Sequence, residues 1–219
     1  MRYKFYREHK YVSAALNDLE RLIAKTDFRQ HTEIENIEKE FNLLITMLKG
    51  HAQYEDQTLH KLLQNKASAV YKDIEKEHKH MDETIANLQT MLKNTRAATE
   101  EEKQIELGDQ FYLWYRKFVG DNLIHLHEEE TVILPELQRL YDDETLRAVE
   151  FPTYSCMSVD QLVDMIQVLF PHMNPIDRLA FLTDIKDSVP DKFIQAWQNI
   201  QAILAPYERI QLIKQLKIR

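Results

Sequence analysis

The chain has 219 residues, 29% of them charged, with only three glycines and six prolines. So few helix breakers among many Leu, Ile, Lys, Glu and Gln exclude a loop-rich or β-rich chain and point to an all-α protein. The formal net charge of −8 argues against a general nucleic-acid or anionic-membrane surface.

A lone cysteine, Cys156, excludes an internal disulfide and any CxxC metal or redox motif. The N-terminal MRYKFYREHK lacks the apolar core of a signal peptide. No apolar run is long enough to span a bilayer, so no membrane association is expected and the cytoplasm is the expected location.

Apolar residues recur at three- and four-residue spacing in four long segments. The first, about residues 3–25, carries Phe5, His9, Val12, Leu16, Leu19 and Ile23. The second, about 32–64, carries Phe41, Leu44, Leu48, His51, Glu55, Leu59 and Leu62. The third, about 67–93, carries Tyr71, Ile74, His78, Met81, Ile85, Leu88 and Leu92. The fourth, about 99–141, starts on a capping box, Thr99 to Glu102. Its stripe is Phe111, Tyr115, Phe118, Asn122, His125, Glu129, Ile133, Leu137 and Leu140. The short connections predict an antiparallel up-down-up-down four-helix bundle over residues 1–141.

Residues 142–157 show no clear period and read as a linker. Four shorter helices over 158–219 form a small C-terminal helical appendage. Ser158 and Gln161 make a second capping box, Pro175 and Pro206 take first helical positions, and Pro190 closes the helix containing RLAFLTDI. The appendage's apolar residues need a surface to cover: the bundle, a second copy of the chain, or a protein partner.

Every bundle stripe has a histidine where the period demands a core residue. Two also carry a glutamate four residues on, His51 to Glu55 and His125 to Glu129, which puts both members of each pair on one helix face. The halves repeat. Glu8-His9-Lys10 matches Glu77-His78-Lys79, and His51, Glu55, Asp56, Leu59, Leu63 match His125, Glu129, Glu130, Ile133, Leu137. Four imidazoles and two carboxylates cannot share a dry core uncompensated. Two first-row transition-metal ions would compensate them and leave coordination positions free. His80 competes with His78, and Glu130 with Glu129; the stripe and the repeat choose His78 and Glu129. His31, His60, His127 and His172 fall in a loop, off their stripes or in the appendage, and are assigned no role. Tyr54 and Tyr115 read as aromatic core.

The EH pairs near the start of the first and third helices, HAQYED in the second and HLHEEETVILPEL in the fourth resemble the hemerythrin-like, or HHE cation-binding, family over about residues 3–141. The resemblance implies a non-haem centre of two iron ions, oxo- or hydroxo-bridged, with His9, His51, Glu55, His78, His125 and Glu129 as ligands. Asp82 stands where oxygen-carrying members have a second histidine in the third helix, so the site looks closer to the four-histidine, two-glutamate type. Three functions follow as expectations. The first is a protein that binds or senses dioxygen, nitric oxide or peroxide. The second is an iron-handling or iron–sulfur-cluster repair protein. The third is an interaction module with a structural metal.

Overall fold

The computed structural model describes the backbone of residues 2–218 and its side chains except those at positions 72, 73 and 75. The described residues are helical or irregular, with no strand among them, and none of their helices is long and apolar enough to cross a membrane. They divide into two compact units, residues 12–136 and residues 1–11 with 137–219.

The first unit is the bundle. Its helices are α1 (His9–Ala24), α2 (His31–Gln57), the short α3 (Leu59–Asn65), α4 (Tyr71–Ala97) and α5 (Glu101–Glu128). A π-helical turn (Glu129–Ile133) follows α5 and leads into α6 (Leu134–Leu140). The periodic stripes form the core: Leu16 and Ile23 from α1, Phe41 from α2, Leu88 from α4, and Phe111 and Phe118 from α5. Phe41 meets Phe111 edge-on at 5.9 Å between ring centroids. The buried Tyr115 hydroxyl donates to the Leu16 carbonyl at 3.1 Å, which ties α5 to α1.

Two of the expected helices are interrupted, and the spacing of their inward residues says why. His125, Glu129, Ile133 and Leu137 all have side chains buried in the structure, yet they are spaced four apart. An ideal helix advances about 100° per residue, so Leu137 would run ahead of His125 by about 120°. The π-helical turn takes in one extra residue at the place where that lead accumulates, and the same face stays inward. In the matching half, α2 stops at Gln57. The chain turns at Thr58 (φ −122°, ψ −77°) and restarts as α3. That break makes Leu63, rather than the expected Leu62, the buried residue.

The start of α5 also differs from expectation. Its N-cap is Glu100, whose side chain makes no capping bond, so the Thr99 capping box does not form. Glu101 and Glu102 in the first turn favour the helix N-terminus by charge instead.

The second unit holds α7 (Asp143–Cys156), α8 (Val159–Leu169), α9 (Pro175–Ser188), α10 (Pro190–Ile200) and α11 (Pro206–Leu216). The capping box at Ser158 and Gln161 is formed, and Asn174 caps α9 with Pro175 at its first position. Leu162, Ile166, Phe181, Leu182, Phe193 and Ile200 anchor the core. Residues 142–157, expected as a linker, are instead the helix α7. Asp142 caps it by accepting from the Thr145 amide, and its inward face is Leu146, Glu150 and Tyr154. A carboxylate in the middle of that face hid the period.

Glu150 belongs to a polar network that binds the N-terminal segment to these helices. Tyr3 donates to Glu150 at 2.6 Å and to Asp184 at 3.2 Å. Arg7 donates to Asp184 at 2.8 Å, and Tyr154 to Glu150 at 3.1 Å. This segment is not helical until His9, and Tyr6 takes a left-handed φ of 70°.

Two predictions follow from packing and charge. A Cβ at Gly108 would come within 2.2 Å of the buried Phe28 ring. Gly108→Ala should therefore cost about 1–3 kcal/mol by overpacking, read as a lowered denaturant midpoint. Burial raises the Glu150 carboxyl to about 7, against the opposing pull of Arg7 and the Tyr3 hydrogen bond. Its folded pKa lies above the unfolded one, so its stabilising contribution is full in acid and is lost as pH rises through that value. Glu150→Gln should flatten the fall in stability between about pH 5 and 8, measured as unfolding midpoints.

Candidate metal centre

The inward faces of α2, α4, α5 and the π-helical turn converge on two glutamates. Glu55 and Glu129 are each 1% exposed. Two groups of donor atoms surround them. His51, Glu55 and Glu129 offer nitrogen and carboxylate atoms all within 4.8 Å of one another, and so do Glu55, His78, His125 and Glu129. Both glutamates belong to both groups. Glu55 reaches to each side, with Oε1 3.3 Å from His51 Nε2 and Oε2 3.9 Å from His78 Nε2. Glu129 Oε1 lies 3.2 Å from His125 Nε2.

The rings on the second side are held from behind. His78 Nδ1 donates to Asp56 at 3.0 Å, and His125 Nδ1 donates to Glu77 at 2.8 Å. A carboxylate that receives the Nδ1 proton turns the other nitrogen toward the interior. The two Nε2 atoms accordingly meet 3.1 Å apart. Two lone pairs aimed at one point repel unless a positive charge lies between them. In the metal-free chain a proton supplies it. Burial works to lower the His125 pKa, but the hydrogen bond and charge of Glu129, joined by Glu77, outweigh burial and raise it to about 9.

His9 opens α1. Its ring is buried and stacks on Tyr6, with centroids 4.6 Å apart. The division between the units falls after Tyr11, inside α1, and the helix is unbroken there. His9 therefore lies on the same face of α1 as Val12 and Leu16.

The structure places the competing residues on the surface. His80, Glu130, His31 and His127 are exposed, and His172 is half-buried beside Tyr11. Three residues given no role by sequence reasoning are part of the arrangement. Asp56 and Glu77 orient the rings, and each adjoins a stripe residue in the chain, a signal that could have found them. His60 is buried against Asp56 and His78, and only the break at Thr58 turns it inward.

A cavity of about 400 Å³ opens beside the two groups; its lining includes His51, Glu55, His78 and His125, the apolar Leu48 and Ile85, and the charged Lys49 and Asp82.

Residues 1–137 match the model of the hemerythrin HHE cation-binding domain. The chain belongs to that family. Its bundle is thus a cation-binding domain with a buried histidine and glutamate site. The chain is also similar to F-box/LRR-repeat protein 5 of Danio rerio, 26% identical over 129 residues. That match covers 58% of this chain but only 18% of the relative's length. No solved structure matches the chain.

Buried carboxylates destabilise a metal-free interior, and a cation bound only by the folded state stabilises it by mass action. Metal removal should lower the melting temperature at neutral pH. Glu55→Gln should weaken cation uptake yet raise the melting temperature of the metal-free form, whereas Glu129→Gln should weaken uptake and lower it, because protonated His125 loses its partner. Calorimetry of both forms of each variant checks the two effects together.

Proposed function

We propose that the chain is a non-haem di-iron protein that binds or senses a small oxidant: dioxygen, nitric oxide or peroxide. The observation that carries this reading is the pair of donor groups sharing both Glu55 and Glu129. A carboxylate common to two groups suits a bridge between two metal ions. Imidazole nitrogens with carboxylate oxygens suit iron better than calcium or magnesium, which prefer oxygen alone. His9, His51, Glu55, His78, His125 and Glu129 would hold the two ions. Iron in that position supplies redox chemistry and open sites for a diatomic or peroxide ligand.

The chain's own residues supply the rest. Asp56 and Glu77 fix the rings of His78 and His125 and keep Nε2 available for coordination. The cavity gives a small molecule room beside four of the six residues. The His125 pKa of about 9 means that metal uptake at neutral pH displaces a proton, so uptake should release acid and strengthen as pH rises.

Reconstitution with ferrous iron should give about two irons per chain and near-ultraviolet charge-transfer bands after oxidation. Fewer than one iron per chain would end the di-iron reading. His78→Ala should lose or loosen one iron, whereas His80→Ala, on the exposed face, should leave both. Retention of both irons through repeated oxidation and reduction separates a binder or sensor from a protein that donates iron.

A further inference from the structure

The core face of α5 carries Phe111, Tyr115 and Phe118. A second stripe runs beside it: Gln110, Trp114, Lys117, Asp121, Ile124 and Glu128, at alternating four- and three-residue steps. That spacing keeps one helix face in line and is the spacing of a helix that packs along another. All of the stripe is exposed except the half-buried Asp121. Trp114 is 53% exposed and Ile124 60%, and Leu113 at the stripe's edge is 60% exposed. Single apolar residues at a surface are ordinary, but a tryptophan, a leucine and an isoleucine along one helix mark an interaction face.

The stripe is complementary to itself. Turned end for end about Val119, it sets Trp114 against Ile124, Lys117 against Asp121 and Gln110 against Glu128. The pairs are apolar with apolar, cation with anion, and amide donor with carboxylate, and a twofold axis makes each of them twice. Within one chain Lys117 and Asp121 already pair one turn apart, so both charges lie on this face and can exchange partners across the axis. A cavity of about 390 Å³ opens between α4 and α5 beside Ile124, and its lining includes Met81, Asp121, Glu77 and His125. An aromatic side chain seated in a pocket is the usual anchor of a protein interface.

We propose that α5 is the interface of a homodimer, in which two copies pack their α5 helices antiparallel about Val119. Trp114 of the partner subunit lies against Ile124 at the mouth of the cavity between α4 and α5. A second copy fits better than a different protein because both members of every pair stand on this one helix. The stripe from Gln110 to Glu128 is about 27 Å long, so the interface is a small one and its formation depends on concentration. The indole also covers Glu77, which orients His125, so each copy shields one side of the other's centre.

Sedimentation equilibrium of the full chain over about a hundredfold range of concentration measures the dimer. Trp114→Ala should abolish it. Lys117→Glu sets acid against acid across the axis, and Asp121→Lys sets base against base. Each should weaken the dimer at least about tenfold. An equimolar mixture of these two variants restores both opposite-charge contacts across the axis, while the pair within each chain stays broken. The mixture should regain the dimer with one copy of each variant, identified by native mass spectrometry with one of them isotopically labelled. Arg21→Glu, which breaks an exposed ion pair on α1, should dimerise as wild type does. Circular dichroism checks that each variant is folded. A wild-type chain that stays monomeric would overturn the proposal and leave the stripe to a different partner. A dimer indifferent to the three substitutions, or a mixture that stays monomeric, would put the contact elsewhere and overturn it too.

Discussion

Two carboxylates at 1% exposure inside a helical bundle set the terms for everything around them. An ionised carboxylate taken from water loses several kcal/mol of solvation, and only matching positive charge returns it. The chain supplies that charge in exchangeable form. Imidazoles surround Glu55 and Glu129, and an imidazole can bring either a proton or a metal ion. The residues behind the rings, Asp56 and Glu77, are 53% and 39% exposed. They keep their own charge in contact with water at little cost and use it to orient His78 and His125. Buried acids demand a cation, and half-exposed acids aim the ligands that would hold it.

The same demand shapes the backbone. A glutamate four residues after a histidine keeps both groups on one face, but repeated four-residue steps drift around a straight helix. Both halves of the bundle meet this mismatch within four residues of the glutamate. One answers with a π-helical turn, the other with a break at Thr58. In the π turn the inward residues Glu129 and Ile133 both stay buried. The break has a different result: it turns a histidine inward that a continuous helix would have left on the flank.

The bundle was legible in the sequence because its apolar stripes are long and its histidines interrupt them at matched offsets. The conflict between His78 and His80 was legible for the same reason, since residues two apart cannot share a face. The interruptions were not legible. Periodicity shows which residues face inward, but not whether the helix is straight between them, and His60 was lost there. Helix α7 was missed for a different reason. A buried Glu150 breaks its apolar face, and its stability rests on a hydrogen-bonded network with Tyr3 and Arg7, which lie far away in the chain. The capping box at Thr99 was misread because the motif fixes residue types but not which residue leaves the preceding loop last.

The N-terminal segment and the C-terminal helices form one unit although the whole bundle lies between them in the chain. Tyr3 and its acceptor Asp184 are 181 positions apart. At about 5–20 residues per second on the ribosome, Tyr3 waits about 10–40 s for that partner to be made. The helices of the bundle can pack during this interval. The bonds from Tyr3 and Arg7 to Asp184 cannot form until α9 emerges. The order of synthesis therefore gives the nascent bundle a period in which its histidines and glutamates exist while the N-terminal segment still lacks its partners.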